Sequence, residues 1–227
     1  LEHFDCLPGL RSMVARIQGT DPTAPALCLM GHTDVVPVSP DGWSRDPFGG
    51  ELVAGEVWGR GAVDMLNLTS SMAVAFRNCI KTGFRPKGDL VYFGVADEEA
   101  GGTYGAKWMA EHHWDAIKAD FVLTEFGGLP TETPHGKKLT VAAGEKGLGW
   151  RRLTVKGTPG HGSMPFGADN AVLKAAEVIR RLGDYRPSPK LTEMWQHQVS
   201  TLNLTDEVKA ALLEPETVWE TIASLDA

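Results

Sequence analysis

ALCLMGHTDVVP, residues Ala26 to Pro37, sets a short apolar run against a glycine, then a histidine and an aspartate two positions apart. An apolar run of this length, closed by Gly31, reads as a buried strand. His32 and Asp34 therefore stand where a strand gives way to a loop. In an extended chain, residues two apart face the same way. Asp34 can then accept the second ring N–H of His32 and fix its tautomer, leaving the other nitrogen for a metal. The plain alternative is a surface His-x-Asp at a strand end.

Outward from this stretch the same pattern recurs. Leu90–Ala96 (LVYFGVA) and Phe121–Thr124 (FVLT) are two further apolar runs expected to be buried strands, and Ser12–Gln18 alternates like a half-exposed one. Met65–Ile80 has helical spacing, with Met65, Leu68, Met72, Phe76 and Cys79 on one face. Val38–Gly61 is rich in Gly, Pro, Asp and Trp and reads as a long loop with short strands, and Tyr104–His113 reads as a helix. Short apolar strands alternating with helices predict an α/β fold, a mostly parallel sheet covered by helices. Composition changes near Gly144. Leu148–Lys156 alternates like a strand with one wet face, and Ala168–Leu182 is an amphipathic helix with Asp169 or Asn170 as its cap. The boundary is placed near Lys146, giving domains at 1–145 and 146–227. Thr205–Leu213 and Pro215–Leu225 read as short helices.

The candidate chemistry sits at strand ends. Glu98 and Glu99 follow the LVYFGVA run directly, after Asp97, and Glu125 closes FVLT; Asp64 opens the long helix. Each has an ordinary reading: Asp64 as a helix cap, the glutamates as solvated acids. Three acids at the mouth of a buried strand nevertheless repel one another unless protons or a cation neutralise them. In open α/β sheets the carboxyl ends of strands form the ligand crevice. One imidazole and several carboxylates converging there, with no thiolate, suit Zn²⁺. His161, in the glycine- and proline-rich turn of residues 157–165, lies past the boundary and suits a group brought in from a lid better than a metal ligand.

Composition narrows the partners. The chain has 227 residues, 42% hydrophobic and 22% charged, with a net charge of −7. That balance supports a buried core and gives no reason to expect nucleic acid or an anionic membrane. No apolar run reaches the length of a membrane span. Cys6, Cys28 and Cys79 are odd in number and widely spaced, which fits buried thiols in a reducing, cytoplasmic compartment. The chain starts at Leu1 and ends on polar-faced helices without a closing strand, so a segment of a longer protein is expected.

Taken in order, GHTDVVP (31–37), Trp43 with Asp46-Pro-Phe48, GRGAVDM (59–65), DEE (97–99), Glu125-Phe-Gly-Gly128, EKG (145–147) and PGHGSMP (159–165) resemble a family of co-catalytic zinc hydrolases. That family includes aminoacylase, acetylornithine deacetylase, succinyl-diaminopimelate desuccinylase and carboxypeptidase G. The resemblance covers nearly the whole chain to about Leu182. It implies a zinc-exopeptidase-like domain plus part of a small α+β lid that dimerises. It also implies two zinc ions per site, replaceable by Co²⁺ or Mn²⁺. His32 and Glu125 would hold one, Glu99 the other, and Asp64 would bridge them through a residue joined to Met65 by a cis peptide bond. Glu98 would be the general base for the attacking water, Asp34 would orient His32, and His161 would cross a homodimer to stabilise the oxyanion. The implied reaction is hydrolysis of an amide bond in an N-acyl amino acid or small peptide. Three departures stand out. Leu66-Asn67 replaces the family's usual Lys-Gly, no glycine-flanked final histidine follows (His197 lies in Met194-Trp-Gln-His-Gln), and only the lid's first strand and helix are recognisable. The rival readings are an inactive family member serving as a dimerising or binding module, and a mononuclear hydrolase built on His32, Asp64 and Glu125.

Overall fold

The computed structural model describes residues 1–125, 128–142, 147 and 149–225. The chain divides into two compact units, Leu1–Phe126 and Gly127–Ala227. The boundary expected near Lys146 lies outside the described residues, as do Glu145 and Lys146 of EKG and Phe126 and Gly127 of the stretch after Glu125.

The first unit begins with a hairpin, β1 (Glu2–Leu7) and β2 (Leu10–Ile17), followed by β3 (Leu27–His32). A small hairpin of β4 (Glu51–Val53) and β5 (Glu56–Trp58) lies within the long loop. Then come α1 (Leu66–Lys81), β6 (Leu90–Val95), a π-helical turn at Thr103–Lys107, α2 (Trp108–His112), α3 (Trp114–Ile117) and β7 (Phe121–Leu123). The sheet order is β1-β2-β6-β3-β7. β3 runs parallel to both β6 and β7, while β2 pairs antiparallel with β1 and β6. Four of the five strands therefore point one way and β2 alone opposes them, the mixed, mostly parallel sheet that the sequence predicts.

β6 is central and covered on both faces, which explains its unbroken apolar sequence. Val91, Phe93 and Val95 pack with Val14, Cys28 and Met109, whereas Tyr92 on the opposite face packs with Ile17, Leu29 and Phe76. α1 supplies Phe76 to that second cluster, so its apolar stripe is what docks it on the sheet. The docking is close because β3 offers Gly31: a Cβ there would overlap Oγ1 of Thr69 on α1.

Register places the site. β3 and β6 pair from Leu27 with Leu90 to His32 with Val95, and β3 and β7 pair from Leu27 with Phe121 to Leu29 with Leu123. The strands are parallel, so His32, the 97–99 turn and Glu125 all leave the sheet at the same edge.

Two expected strands behave differently. β7 forms, but Phe121, Val122 and Leu123 are all more than half exposed. Among the described residues it is a three-residue edge strand paired with β3 alone, so its apolar character does not bury it. Residues 149–156 form no strand, and Trp150 and Leu153 are exposed. An alternating pattern becomes a strand only against a partner edge, and among the described residues these have none.

Among its described residues the second unit contains a hairpin, β8 (Pro130–Thr133) and β9 (Gly136–Leu139), and four helices. α4 (Ala171–Asp184) is capped by Asn170, whose side chain accepts from Val172 and Leu173 N–H groups. α5 (Glu193–Thr201) and α6 (Asp206–Leu212) are capped by Thr192 and Thr205, and α7 (Val218–Leu225) follows. The indole of Trp195 donates to the Leu212 carbonyl at 2.8 Å, tying α5 to α6. Among the described residues no helix is long and apolar enough to cross a membrane.

Gly31→Ala should test the contact that seats α1. Overpacking of this kind costs about 1–3 kcal/mol, read as a lower urea midpoint; an unchanged midpoint would show that α1 does not bear on Gly31.

Candidate metal centre and active site

His32 is the last residue of β3, and its ring is 1% exposed. Its Nδ1 lies 2.9 Å from the main-chain carbonyl of Asp34. A carbonyl can only accept, so Nδ1 carries a proton and a neutral ring presents a lone pair at Nε2. The expected partner was the Asp34 carboxylate; that group stands 3.7 Å from Nδ1, too far for a hydrogen bond. Its oxygens instead accept the N–H groups of Glu98 at 3.1 Å and Glu99 at 3.0 Å. From the other side, Thr69 of α1 donates to the His32 carbonyl at 2.8 Å in a buried bond. Nothing in the sequence singled out Thr69, because a threonine inside a helix is an ordinary residue until a strand end is packed against it.

Acids converge on the outward nitrogen. Nε2 of His32 lies 3.2 Å from Asp64 Oδ1, 3.3 Å from Glu125 Oε2 and 3.9 Å from Glu98 Oε2. Asp64 is not a helix cap: the N-cap of α1 is Met65, with no side-chain cap bond, and the Asp64–Met65 peptide is cis, as expected. His32, Asp64 and Glu125 each offer a ligand atom within 4.8 Å of the others. Around a tetrahedral zinc with bonds of about 2.0–2.1 Å, neighbouring ligand atoms sit about 3.3 Å apart. The spacings from Nε2 to Asp64 and Glu125 match that figure, and the donor types suit the ion, so the residues fit a divalent cation.

Glu99 does not join this group. It lines a cleft of about 350 Å³ together with Asp64, Trp43, Trp58 and Arg60. The Arg60 guanidinium lies over the Trp43 ring at 5.3 Å and that of Arg45 over Trp58 at 5.6 Å. These pairs explain why the long loop is rich in tryptophan: it builds a wall.

The turn that aims Glu98 and Glu99 is built by Asp97. This residue is buried with φ of 67°, a left-handed conformation that aspartate tolerates better than most side chains. Its carboxylate accepts the Tyr104 N–H at 2.8 Å and its carbonyl accepts that of Gly102 at 2.6 Å. Asp97 therefore faces the π-helical turn and leaves the two glutamates to the crevice.

Crowding shifts the titrations. Burial holds the Glu98 carboxyl above its ordinary range, with Glu99, Asp34 and Asp64 adding to the rise against the pull of His32. Burial likewise raises Glu125, helped by Glu98 and Asp64. Burial pushes His32 down, but the Asp34 carbonyl, Asp64, Glu125 and Glu98 together carry it above its ordinary value. All three shifts favour the protonated forms, so a cation bound there would compete with protons.

His161 lies in the second unit and is exposed. The Ser163 N–H donates to its Nδ1 at 3.3 Å, with Ser163 Oγ at 2.7 Å. A neutral ring accepting at Nδ1 carries its proton on Nε2, which is then a donor. Of the two cap candidates, Asp169 and Asn170, it is Asn170 that caps α4.

Residues 28–214 match the model of peptidase family M20/M25/M40. The chain is 34% identical over 210 residues to aminoacylase-1 of Sus scrofa, covering 90% of this chain and 50% of that protein. It is 37% identical over 160 residues to succinyl-diaminopimelate desuccinylase of Parvibaculum lavamentivorans, covering 70% of this chain and 39% of that protein. The chain thus spans half or less of the length of these curated relatives. Among solved structures, the M20 family metallo-carboxypeptidase from Sulfolobus solfataricus superposes with a TM-score of 0.56 over 89% of this chain and 48% of that one, at 23% identity, a likeness of fold. With the family match extending over most of its length, this chain belongs to peptidase family M20/M25/M40.

Proposed function

We propose that the protein containing this chain is a zinc-dependent hydrolase of an amide bond in an N-acyl amino acid or small peptide. The observation that carries this reading is the meeting of His32, Asp64 and Glu125 at one nitrogen, with the Glu98 carboxylate beside them. The named relatives, an aminoacylase and a desuccinylase, support the substrate class.

His32, Asp64 and Glu125 would hold one zinc, and Glu99, which shares the cleft with Asp64, would hold a second with Asp64 between them. When bound, such ions polarise the scissile carbonyl and acidify water. The remaining steps belong to side chains. Glu98 is half exposed with a raised carboxyl pKa, which suits a base that takes a proton and later returns it. It takes the proton of the attacking water as the carbon–oxygen bond forms. It then delivers that proton to the leaving nitrogen as the carbon–nitrogen bond breaks. The Nε2–H of His161, contributed by a lid across a homodimer, would donate to the carbonyl oxygen as charge gathers there. In this reading the first unit is the catalytic domain and the second belongs to the lid. The setting is the cytoplasm, consistent with the free cysteines Cys6, Cys28 and Cys79.

Glu98→Ala in the full-length zinc-loaded protein should lower kcat on a panel of N-acyl amino acids and dipeptides by about 10²–10⁴-fold with zinc content unchanged. Unchanged turnover, or none by the unaltered protein, would defeat the reading.

The pH dependence of cation binding follows from the raised groups. The stability they contribute as protonated groups is present at low pH and lost as pH rises through their elevated values. A cation takes the place of those protons, so the rise in Tm on adding zinc should be larger at about pH 7.5 than at about pH 5. Equal rises would show that His32, Glu98 and Glu125 do not face the ion.

A further inference from the structure

We infer that the Asp34 carboxylate is a positioning group for the Glu98–Glu99 turn, and that the His32 ring is held by the Asp34 main chain instead. The two halves of Asp34 are used separately. Its carbonyl takes the Nδ1 proton at 2.9 Å. Its carboxylate, 3.7 Å from that nitrogen, spends one oxygen on the Glu98 N–H and the other on the Glu99 N–H. Successive N–H groups that point at one anion form a concave nest, and an adjacent left-handed residue is what shapes it. Asp97, with φ of 67°, is that residue.

The register makes the contact possible. His32 pairs with Val95 and the Thr33 N–H donates to the Val95 carbonyl at 2.8 Å, so the chain after β3 travels beside the turn after β6. Asp34 is three-quarters buried there, where bonds from N–H groups to a full negative charge are stronger than neutral ones. Glu98 has no other described hold on its backbone N–H. One residue thereby couples a metal-ligand candidate to the base candidate, by main chain on one side and by side chain on the other.

This rests on the amide-hydrolase reading for its catalytic consequence but not for its structural one. The test uses the full-length protein labelled with ¹⁵N-glutamate and ¹⁵N-histidine, first free of cation. Asp34→Ala should speed amide exchange at Glu98 and Glu99 about tenfold or more and leave the His32 ring in its Nδ1-protonated form. In the zinc-loaded protein it should lower kcat about 10–100-fold while KM changes less than about twofold. Asp34→Asn keeps one accepting oxygen, so one of the two amides should remain protected and kcat should fall between the two proteins. If Asp34→Ala does not fold, the Asn variant carries the same readouts. Unchanged exchange at both amides overturns the inference, and so does a change of the His32 tautomer with the amides undisturbed. Because exchange needs neither zinc nor turnover, its failure is separate from failure of the hydrolase reading.

Discussion

Neighbouring parallel strands end at one edge of a sheet, and β3 has such a neighbour on each side. Pairing with β6 through His32 and Val95, and with β7 through Leu29 and Leu123, fixes where three chain segments leave the sheet. A slip of one residue in either pairing would turn His32 or Glu125 to the opposite face. The buried alternation of Val91, Tyr92 and Phe93 prevents that slip at β6, because each face has its own cluster to fill. Core packing in this unit is thus what locates the charges, and the contact of Thr69 with the end of β3 locks the last residue of the strand.

Once located, the charges are in conflict. Three carboxylates approach a single imidazole nitrogen within 4 Å, and burial raises the cost of ionising Glu98 and Glu125. Such an assembly holds protons or holds a cation. The surroundings favour geometry over neutralisation: no lysine or arginine is bonded to Asp64, Glu98 or Glu125 among the described residues. Asp34 and Asp97, by contrast, satisfy their carboxylates on backbone N–H groups. The cluster therefore contains two kinds of acid, those that hold the turn and those left to the crevice.

The sequence made most of the first unit legible because its strands are nearly pure apolar runs that each stop at a chemically distinctive residue. His32, Glu98, Glu99 and Glu125 could be picked out for that reason, Asp64 by its place just before α1, and the α1 stripe by its spacing. What it could not show is how far side chains reach. Asp34 lies two residues from His32 and so looked like its partner, yet the carbonyl of the same residue is nearer. Glu99 sits beside Glu98 in sequence but faces the cleft rather than the imidazole. Outside the sheet, patterns lost their meaning: residues 149–156 alternate without a partner edge, β7 is apolar without cover, and the β1, β8, β9 and α5 segments carry too weak a period to be read. The cap of α4 fared better, since Asn170 acts through local bonds that need no tertiary context.

In the proposed enzyme, His32 at the end of β3 and the acids at 64 and 125 converge on one cation. Anomalous X-ray scattering at the zinc edge, from crystals of the zinc-loaded full-length protein, tests it most directly. The expected result is a peak within about 2.0–2.2 Å of His32 Nε2 and of carboxylate oxygens from Asp64 and Glu125. A zinc peak elsewhere, with His32 Nε2 bonded only to protein atoms, would contradict it.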